Sequence, residues 1–219
     1  MRSARRRFGA GVAVAMIAIM ATGCAETPQV RAGDPTVSNA PPVDPGVAAA
    51  STPALARQKK AAGLPDCPAS DAAVPPVTQG LPDLTLACLG GGRSTRLAGL
   101  RGTPMVLNLW AQWCGPCRTE APFLAEIAGR AGDRVLVLGV DYKETEPALA
   151  IDFARASGWT YPQLFDQDGR VTEALRLPTG PPQTIFVGAD GVITYVHAGE
   201  FRSTGDLREA IRAHLGIAL

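Results

Sequence analysis

The sequence carries no excess of charge of either sign. Its 219 residues hold 21 Lys and Arg against 20 Asp and Glu, a formal net charge of +1. This balance argues against nucleic acid and other polyanions as partners, because such ligands select strongly basic surfaces. The patterns G-x-S-x-G and H-E-x-x-H are also absent, so hydrolytic catalysis has no support.

Histidine is scarce, and the cysteines are poorly spaced for metal. The two histidines are His197, in a predicted strand, and His214, in the predicted terminal helix. A structural zinc ribbon needs two close cysteine pairs, whereas this chain has a single C-x-x-C, and Cys67 and Cys88 lie far apart. We therefore expect no metal and no organic cofactor, and a zinc site remains the weaker alternative.

The N-terminal apolar run, residues 12–21, is too short to span a bilayer comfortably. It follows a basic start and ends in small residues directly before Cys24, an order typical of an export signal. We predict a signal peptide over residues 1–23. Its end resembles a bacterial lipobox, which implies a lipid on Cys24 and a location on the extracytoplasmic face of the cell membrane. The alternative to lipidation is an ordinary secreted protein in which Cys24 is a free thiol. Residues 5–8 also resemble a twin-arginine export signal, which is an alternative for the export route.

Residues 24–76 have the composition of a spacer. They are rich in Ala, Pro, Ser and Asp and show no sustained strand or helix period. Such a segment cannot bury enough apolar surface to offset its ordering entropy. We predict a flexible tether over residues 24–76, with some local structure near Cys67, followed by one folded domain over residues 77–219.

Strand and helix patterns alternate along this domain. Two apolar runs, 105–111 and 135–140, are typical of buried strands. Hairpins are predicted at two places: 84–100 and 184–198. Helices are predicted at four places: 117–131, 147–157, 171–177 and from Ser203 onwards. The order predicts an α/β domain with a parallel core, to which the final hairpin adds an antiparallel edge.

Cys114 and Cys117 lie where a buried strand gives way to a helix. A lone C-x-x-C is compatible with metal binding, with a structural link or with electron exchange. At a helix start, unpaired N–H groups and the helix dipole favour the thiolate, the only form that attacks a disulfide. We predict that Cys114 attacks and that the more shielded Cys117 resolves the mixed disulfide.

The string WCGPCRTEAPFL, residues 113–124, resembles the thioredoxin superfamily, and more narrowly its exported TlpA/ResA branch. The resemblance extends over residues 81–215. It implies a thioredoxin-like fold: a central mixed sheet, an added N-terminal β-hairpin and flanking helices. The later string PPQTIFVGADG resembles the family's cis-proline segment. This implies that Pro182 is the cis-proline facing the cysteine pair, with Gln183 in place of the usual Thr.

Three further residues are assigned to the site. Glu120 matches an acidic residue of the TlpA/ResA branch, and a half-buried carboxylate there would have a raised pKa and could carry the proton of Cys117. The alternative is a solvated residue on the helix surface. Trp113 and Pro181 are predicted to contact substrate chains, whereas Trp110 is expected in the core.

Cysteine counting accounts for the remaining pair. If Cys24 carries lipid, four cysteines remain, an even number in a compartment where disulfides persist. We predict a structural disulfide between Cys67 and Cys88 that fastens the end of the tether to the domain. The alternative is a second redox pair that exchanges with the first.

Together these features predict a monomeric, membrane-tethered, extracytoplasmic thiol–disulfide oxidoreductase. Its substrates would be protein disulfides or dithiols, and a membrane electron-transfer partner would recycle its cysteine pair. The resemblance favours reduction of exported proteins or of apocytochrome c thiols, and donation of disulfides to exported proteins stays open.

Two other classes of the same fold fit less well. Copper-delivery proteins use C-x-x-x-C with a histidine ligand, so a copper- or zinc-binding lipoprotein is the weaker alternative. Peroxidases carry P-x-x-x-T/S-x-x-C, which does not occur here.

Overall fold

A computed structural model describes residues 49–219 of this chain. The predicted signal peptide, Cys24 and the first half of the predicted tether lie outside the described residues. Over residues 49–219, no helix combines the length and the apolar character needed to cross a membrane.

Within the described residues, seven strands form one sheet, in the order β2-β1-β5-β4-β3-β6-β7. The strands are β1 Thr85–Cys88, β2 Thr95–Arg96, β3 Met105–Trp110, β4 Leu136–Tyr142, β5 Gln163–Asp166, β6 Gln183–Val187 and β7 Ile193–Ala198. Strands β3, β4 and β5 are parallel, and β1, β2, β6 and β7 run antiparallel to their neighbours. This mixed sheet confirms the predicted thioredoxin-like fold. We call the edge at which β3, β4 and β5 end the carboxyl edge.

Five α-helices are assigned in the same part of the chain. They are α1 Pro53–Ala61, α2 Gly115–Ala131, α3 Pro147–Ala156, α4 Arg170–Leu175 and α5 Thr204–Leu215, with short 3-10 helices at Leu97–Gly99 and Gly132–Arg134. At three of the helix starts the N-cap residue accepts a hydrogen bond with its own side chain. Thr52 accepts from the N–H of Leu55 in α1, and Ser203 accepts from the N–H of Asp206 in α5. At α2 the capping residue is Cys114.

Both faces of the sheet are covered. Along β3, Val106 and Trp110 belong to the cluster formed with α2, α3 and α5, whereas Leu107 and Leu109 belong to the cluster on the opposite face. This follows from the two-residue repeat of a strand, which sends successive side chains to opposite faces. All six residues of β3 are therefore buried, as its largely apolar run predicts.

Two features differ from the sequence-based expectation. Strand β5 was not predicted, although it lies between β4 and β1. Helix α1 lies inside the range expected to be a flexible tether, and Leu55 and Leu64 are buried there. The side-chain amide of Gln58 donates to the carbonyl of Ala148 in α3 at 2.9 Å. Packing against the domain therefore orders a segment whose composition alone indicated no regular secondary structure.

Candidate active site

Strand β3 leads directly into the cysteine pair. After Trp110 the chain turns, with the N–H of Cys114 donating to the carbonyl of Ala111 at 3.1 Å. Pro116 occupies the first turn of α2, where its missing N–H costs no hydrogen bond. The local sequence thus begins a helix immediately at the carboxyl edge and leaves Cys114 as its cap.

The cap geometry places a hydrogen-bond donor on the sulfur of Cys114. The N–H of Cys117 donates to the Cys114 Sγ at 3.2 Å. The two cysteines form a disulfide in this structure, with Cys114 5% exposed and Cys117 1% exposed. In the reduced state the same N–H and the positive end of the helix dipole would stabilise a Cys114 thiolate.

Glu120 is buried one helical turn beyond Cys117, with only 1% of its surface exposed. One carboxylate oxygen accepts from the Asn108 side-chain amide at 2.9 Å, and the other accepts from the N–H of Phe201 at 3.1 Å. Burial raises the pKa of Glu120 to about 7, against the opposing effect of these two donors, and nearby Glu200 adds to the rise. The carboxyl group is therefore not the solvated surface group that the alternative interpretation required.

The proline segment lies at the same edge of the sheet. The peptide bond between Pro181 and Pro182 is cis, and the carbonyl of Pro182 accepts from the N–H of Gly199 at 3.0 Å. Strand β6 follows at once, with Gln183 opposite Leu109 of β3. This antiparallel register brings the start of β6, and Pro182 with it, to the edge where β3 ends. The Gln183 amide turns back to donate to the Thr179 hydroxyl at 3.1 Å.

Trp113 stands at the surface beside this edge and is 53% exposed. Its ring centroid lies 6.5 Å from that of Tyr142, at the end of β4. An open groove of about 580 Å³ begins at Tyr142 and Lys143 and ends at Gly180, next to the proline pair. Trp110, by contrast, is fully buried, as the sequence predicts.

A second buried carboxyl group at this edge was not predicted. Asp141 on β4 lies opposite Trp110 of β3 and is fully buried. Burial raises its pKa well above the usual range, and the carboxyls of Glu144 and Asp166 raise it further. Neither oxygen of Asp141 has a hydrogen-bond partner within the described residues. The signal in the sequence was a single acidic residue at the end of the apolar run VLVLGV.

The remaining described cysteines lie apart in sequence and are joined in the structure. A disulfide links Cys67, in the segment after α1, to Cys88 at the end of β1, with 5.7 Å between their Cα atoms. Across residues 49–219, no group of three or more His, Cys, Asp or Glu side chains is placed to hold a metal ion. His197 and His214 stack on the rings of Phe201 and Tyr195.

Comparison with known proteins agrees with this geometry. The thiol:disulfide interchange protein DsbE of Escherichia coli (strain K12) is 35% identical over 101 residues, which is 46% of this chain and 52% of that protein. The match thus spans about half the length of that relative. The structure of MTB dsbF in its mixed oxidized and reduced forms is 30% identical, with a TM-score of 0.55, covering 63% of this chain and 98% of that one.

A secreted Mycobacterium tuberculosis disulfide oxidoreductase homologous to Escherichia coli DsbE is 26% identical, with a TM-score of 0.53, and covers 60% of this chain and 96% of that one. The family model described as Redoxin matches residues 76–212. Because that match covers more than half of the sequence, this chain belongs to the Redoxin family, and its fold is thioredoxin-like.

Proposed function

We propose that this protein reduces disulfides of exported proteins, including those formed by apocytochrome c thiols, through Cys114 and Cys117. The observation that carries the proposal is the N–H of Cys117, which donates to the Cys114 Sγ at the start of α2. A sulfur that receives this donor at the positive end of a helix is stabilised as a thiolate. Cys114 is therefore the attacking residue.

The exchange has two steps. The Cys114 thiolate bonds to one sulfur of the substrate disulfide, and the other substrate sulfur leaves with the electron pair as a thiolate. Cys117, once deprotonated, then attacks the Cys114 Sγ and displaces the remaining substrate sulfur. The substrate has gained two electrons, and the protein is left with the Cys114–Cys117 disulfide that the structure contains.

Glu120 is proposed to take the proton of Cys117 during the second step. A general base works best when its pKa lies near the operating pH, and burial raises the pKa of Glu120 to about 7. The carboxyl is held in place by Asn108 and Phe201. It is therefore held in one orientation rather than free to turn into solvent.

The substrate chain is proposed to dock beside Trp113 and Pro181. Trp113 offers an exposed apolar ring, and Pro181, bonded in cis to Pro182, is proposed to contact the substrate from the other side. The groove from Tyr142 to Gly180 continues this surface and carries side chains of both charge signs. A substrate segment lying there would bring its cysteine to the Cys114 sulfur.

Location and partners complete the proposal. We propose that residues 1–23 are removed on export, that Cys24 carries lipid, and that the residues between Cys24 and α1 connect this anchor to the domain at the extracytoplasmic face of the membrane. A membrane electron donor returns the oxidised pair to the dithiol. Similarity to a secreted disulfide oxidoreductase supports an extracytoplasmic location. The protein is proposed to work as a monomer.

The reduction potential of the Cys114–Cys117 pair tests the direction of electron flow. The pair can be equilibrated with dithiol buffers and its redox state read by alkylation and mass spectrometry of its peptide. A reductase requires a value near that of thioredoxin, about −270 mV. A value near that of the strong periplasmic oxidant DsbA, about −120 mV, would contradict the proposal and favour the disulfide-donating oxidant.

Serine variants test the assigned roles. We expect Cys114→Ser to abolish reduction of insulin disulfides, because no thiolate remains to attack. Cys117→Ser should instead accumulate a mixed disulfide on Cys114, since the resolving thiol is missing. Cys24→Ser is the control and should retain full activity in the purified protein. Insulin reduction by the Cys114 variant would show that the nucleophile is assigned to the wrong residue.

A further inference from the structure

A buried lysine lies against the second disulfide. Lys59 of α1 is 8% exposed, and its Nζ lies 3.0 Å from the Sγ of Cys88. The same Nζ donates to the carbonyl of Gly91 at 2.7 Å and lies 3.8 Å from the carboxylate of Asp66. A disulfide sulfur is only a weak acceptor. The charge of Lys59 is therefore compensated by one half-exposed carboxylate.

Packing holds Lys59 in this position. A side chain at Gly90 would place its Cβ 2.7 Å from the Lys59 Cβ and 3.1 Å from its Cδ, so the lysine stem lies directly on that turn. Burial lowers the pKa of Lys59, and Asp66 opposes this effect. A cation in such a setting would gain a strong partner if an anion appeared on the adjacent sulfur.

The two sulfurs of this disulfide have opposite surroundings. Cys88 Sγ faces the ammonium of Lys59, whereas Cys67 Sγ lies 3.2 Å from the carbonyl oxygen of Gln163. A carbonyl oxygen disfavours negative charge on its neighbour and accepts a hydrogen bond from a thiol. The other nearby cation, the Arg93 guanidinium, donates to the Cys67 carbonyl rather than to a sulfur. The surroundings therefore favour a thiolate on Cys88 and a thiol on Cys67.

We propose that Cys67–Cys88 is a second thiol–disulfide exchange site, in which a dithiol attacks Cys67 and Cys88 leaves as a thiolate paired with Lys59. One thiolate of the dithiol bonds to Cys67 Sγ, and the S–S bond breaks with its electron pair on Cys88. The second thiol of the reagent then displaces Cys67, which takes up a proton. The reagent ends as a disulfide, and the protein has gained two electrons.

Access to Cys67 requires a local opening. Both sulfurs are buried, but residues 64–70 have no regular secondary structure. Segments of this kind open at a lower free energy than strands or helices. Cys88 lies in strand β1 and is less free to move than Cys67. This agrees with its role as the leaving sulfur.

The test needs only this cysteine pair. Replacing Cys24, Cys114 and Cys117 with serine leaves Cys67 and Cys88, whose reduction by dithiothreitol can be followed by alkylation and mass spectrometry. In that protein Lys59→Met removes the charge and keeps the length of the side chain. Lys60→Met, at the exposed neighbouring position, is the matched control.

We expect Lys59→Met to make reduction of the pair about tenfold less favourable, which corresponds to about 30 mV for a two-electron couple. The Lys60 variant should match its parent. Equal equilibria for the two lysine variants would overturn the proposal, because the charge beside Cys88 would then have no effect on the exchange.

A second measurement does not depend on any lysine variant. In the reduced parent protein, the alkylation rate of each cysteine can be followed against pH at the level of its peptide. Cys88 should titrate below the usual thiol pKa of about 8.5, and Cys67 should titrate at or above it. Titration of both thiols at or above the usual value would also overturn the proposal.

Discussion

A single carboxyl group, that of Glu120, joins three parts of the molecule. Helix α2 carries it, Asn108 binds it from β3, and the backbone of Phe201 binds it from the segment before α5. The two partners lie 12 and 81 residues away along the chain. The motif indicated a carboxyl group in this turn. No local pattern could indicate its partners, because they are brought to it by the sheet.

The raised pKa of Glu120 predicts how stability changes with pH. In the unfolded chain the group ionises near 4.5, and in the folded protein near 7. Folding therefore favours the protonated form, and its contribution to stability is fully present below pH 4.5 and is lost as the pH rises to 7. We expect Glu120→Gln to remove this loss, worth about 3 kcal/mol at 1.36 kcal/mol for each pH unit.

Urea unfolding at pH 5 and pH 8, with the active-site pair kept oxidised, measures the effect. The matched control is Glu126→Gln on the same helix, where Arg130 and Thr204 face an exposed carboxylate. The pKa of Glu126 is lowered, chiefly by the Thr204 hydroxyl, so its titration lies below this pH window. If the free energy of unfolding of Glu120→Gln changed with pH as it does in the wild type, the raised pKa described for Glu120 would be wrong.

Among the elements, β5 shows where patterns of hydrophobicity stop being informative. Gln163 and Asp166 make half of this four-residue strand polar, yet every residue in it is buried. The Asp166 carboxylate accepts from the N–H groups of Arg170 and Val171 at the start of α4. Strands β3 and β4 could be predicted because both of their faces are covered by apolar groups. Strand β5 could not, because its polar side chains are satisfied by other elements.

The hydrogen bond between Gln163 of β5 and Trp110 of β3 can be tested by a substitution in β4, the strand between them. Gln163 Oε1 accepts from the Trp110 indole N–H at 2.9 Å, and this bond passes over Gly139 of β4. A Cβ at Gly139 would lie 1.8 Å from that oxygen. We therefore expect Gly139→Ala to lower the free energy of unfolding by about 1–3 kcal/mol.

Gly129→Ala is the opposing control. Gly129 lies within α2, and a Cβ there would meet nothing within 4 Å. Alanine at this position should raise stability by roughly 0.5–1 kcal/mol through helix propensity alone. Chemical unfolding of the two variants side by side makes the comparison, and a Gly139→Ala variant as stable as the wild type would contradict the packing described for Gly139.

At the scale of the whole molecule, the proposed active site lies at one edge of the sheet. The parallel strand β3 delivers Cys114 to this edge, β4 delivers Asp141, and the reversed strand β6 delivers Pro182. The family resemblance predicted Pro182 opposite the cysteine pair, whereas nothing in the sequence predicted Asp141 as part of this edge. Only the strand order, with β3 between β4 and β6, brings them together.

The Cys67–Cys88 disulfide also affects the whole molecule, because it links the segment after α1 to strand β1 of the domain. The bridge spans 21 residues. We expect the double variant Cys67→Ala with Cys88→Ala to lose roughly 3 kcal/mol of stability, since a loop of this size restricts the unfolded chain. Denaturation with the active-site pair oxidised measures this loss. Unchanged stability would mean that contacts such as Gln58 with Ala148 hold α1 without the bridge.

The burial of Cys114 has a consequence for the substrates proposed for this site. Cys114 is 5% exposed beside a Trp113 that is 53% exposed, so little of its surface is open to the disulfide of a folded substrate. We expect such a substrate to release first the strand or loop that carries its cysteine. The rate of exchange should therefore follow the substrate's local opening equilibrium. We therefore expect reduction to be faster for unfolded substrates than for well-folded ones.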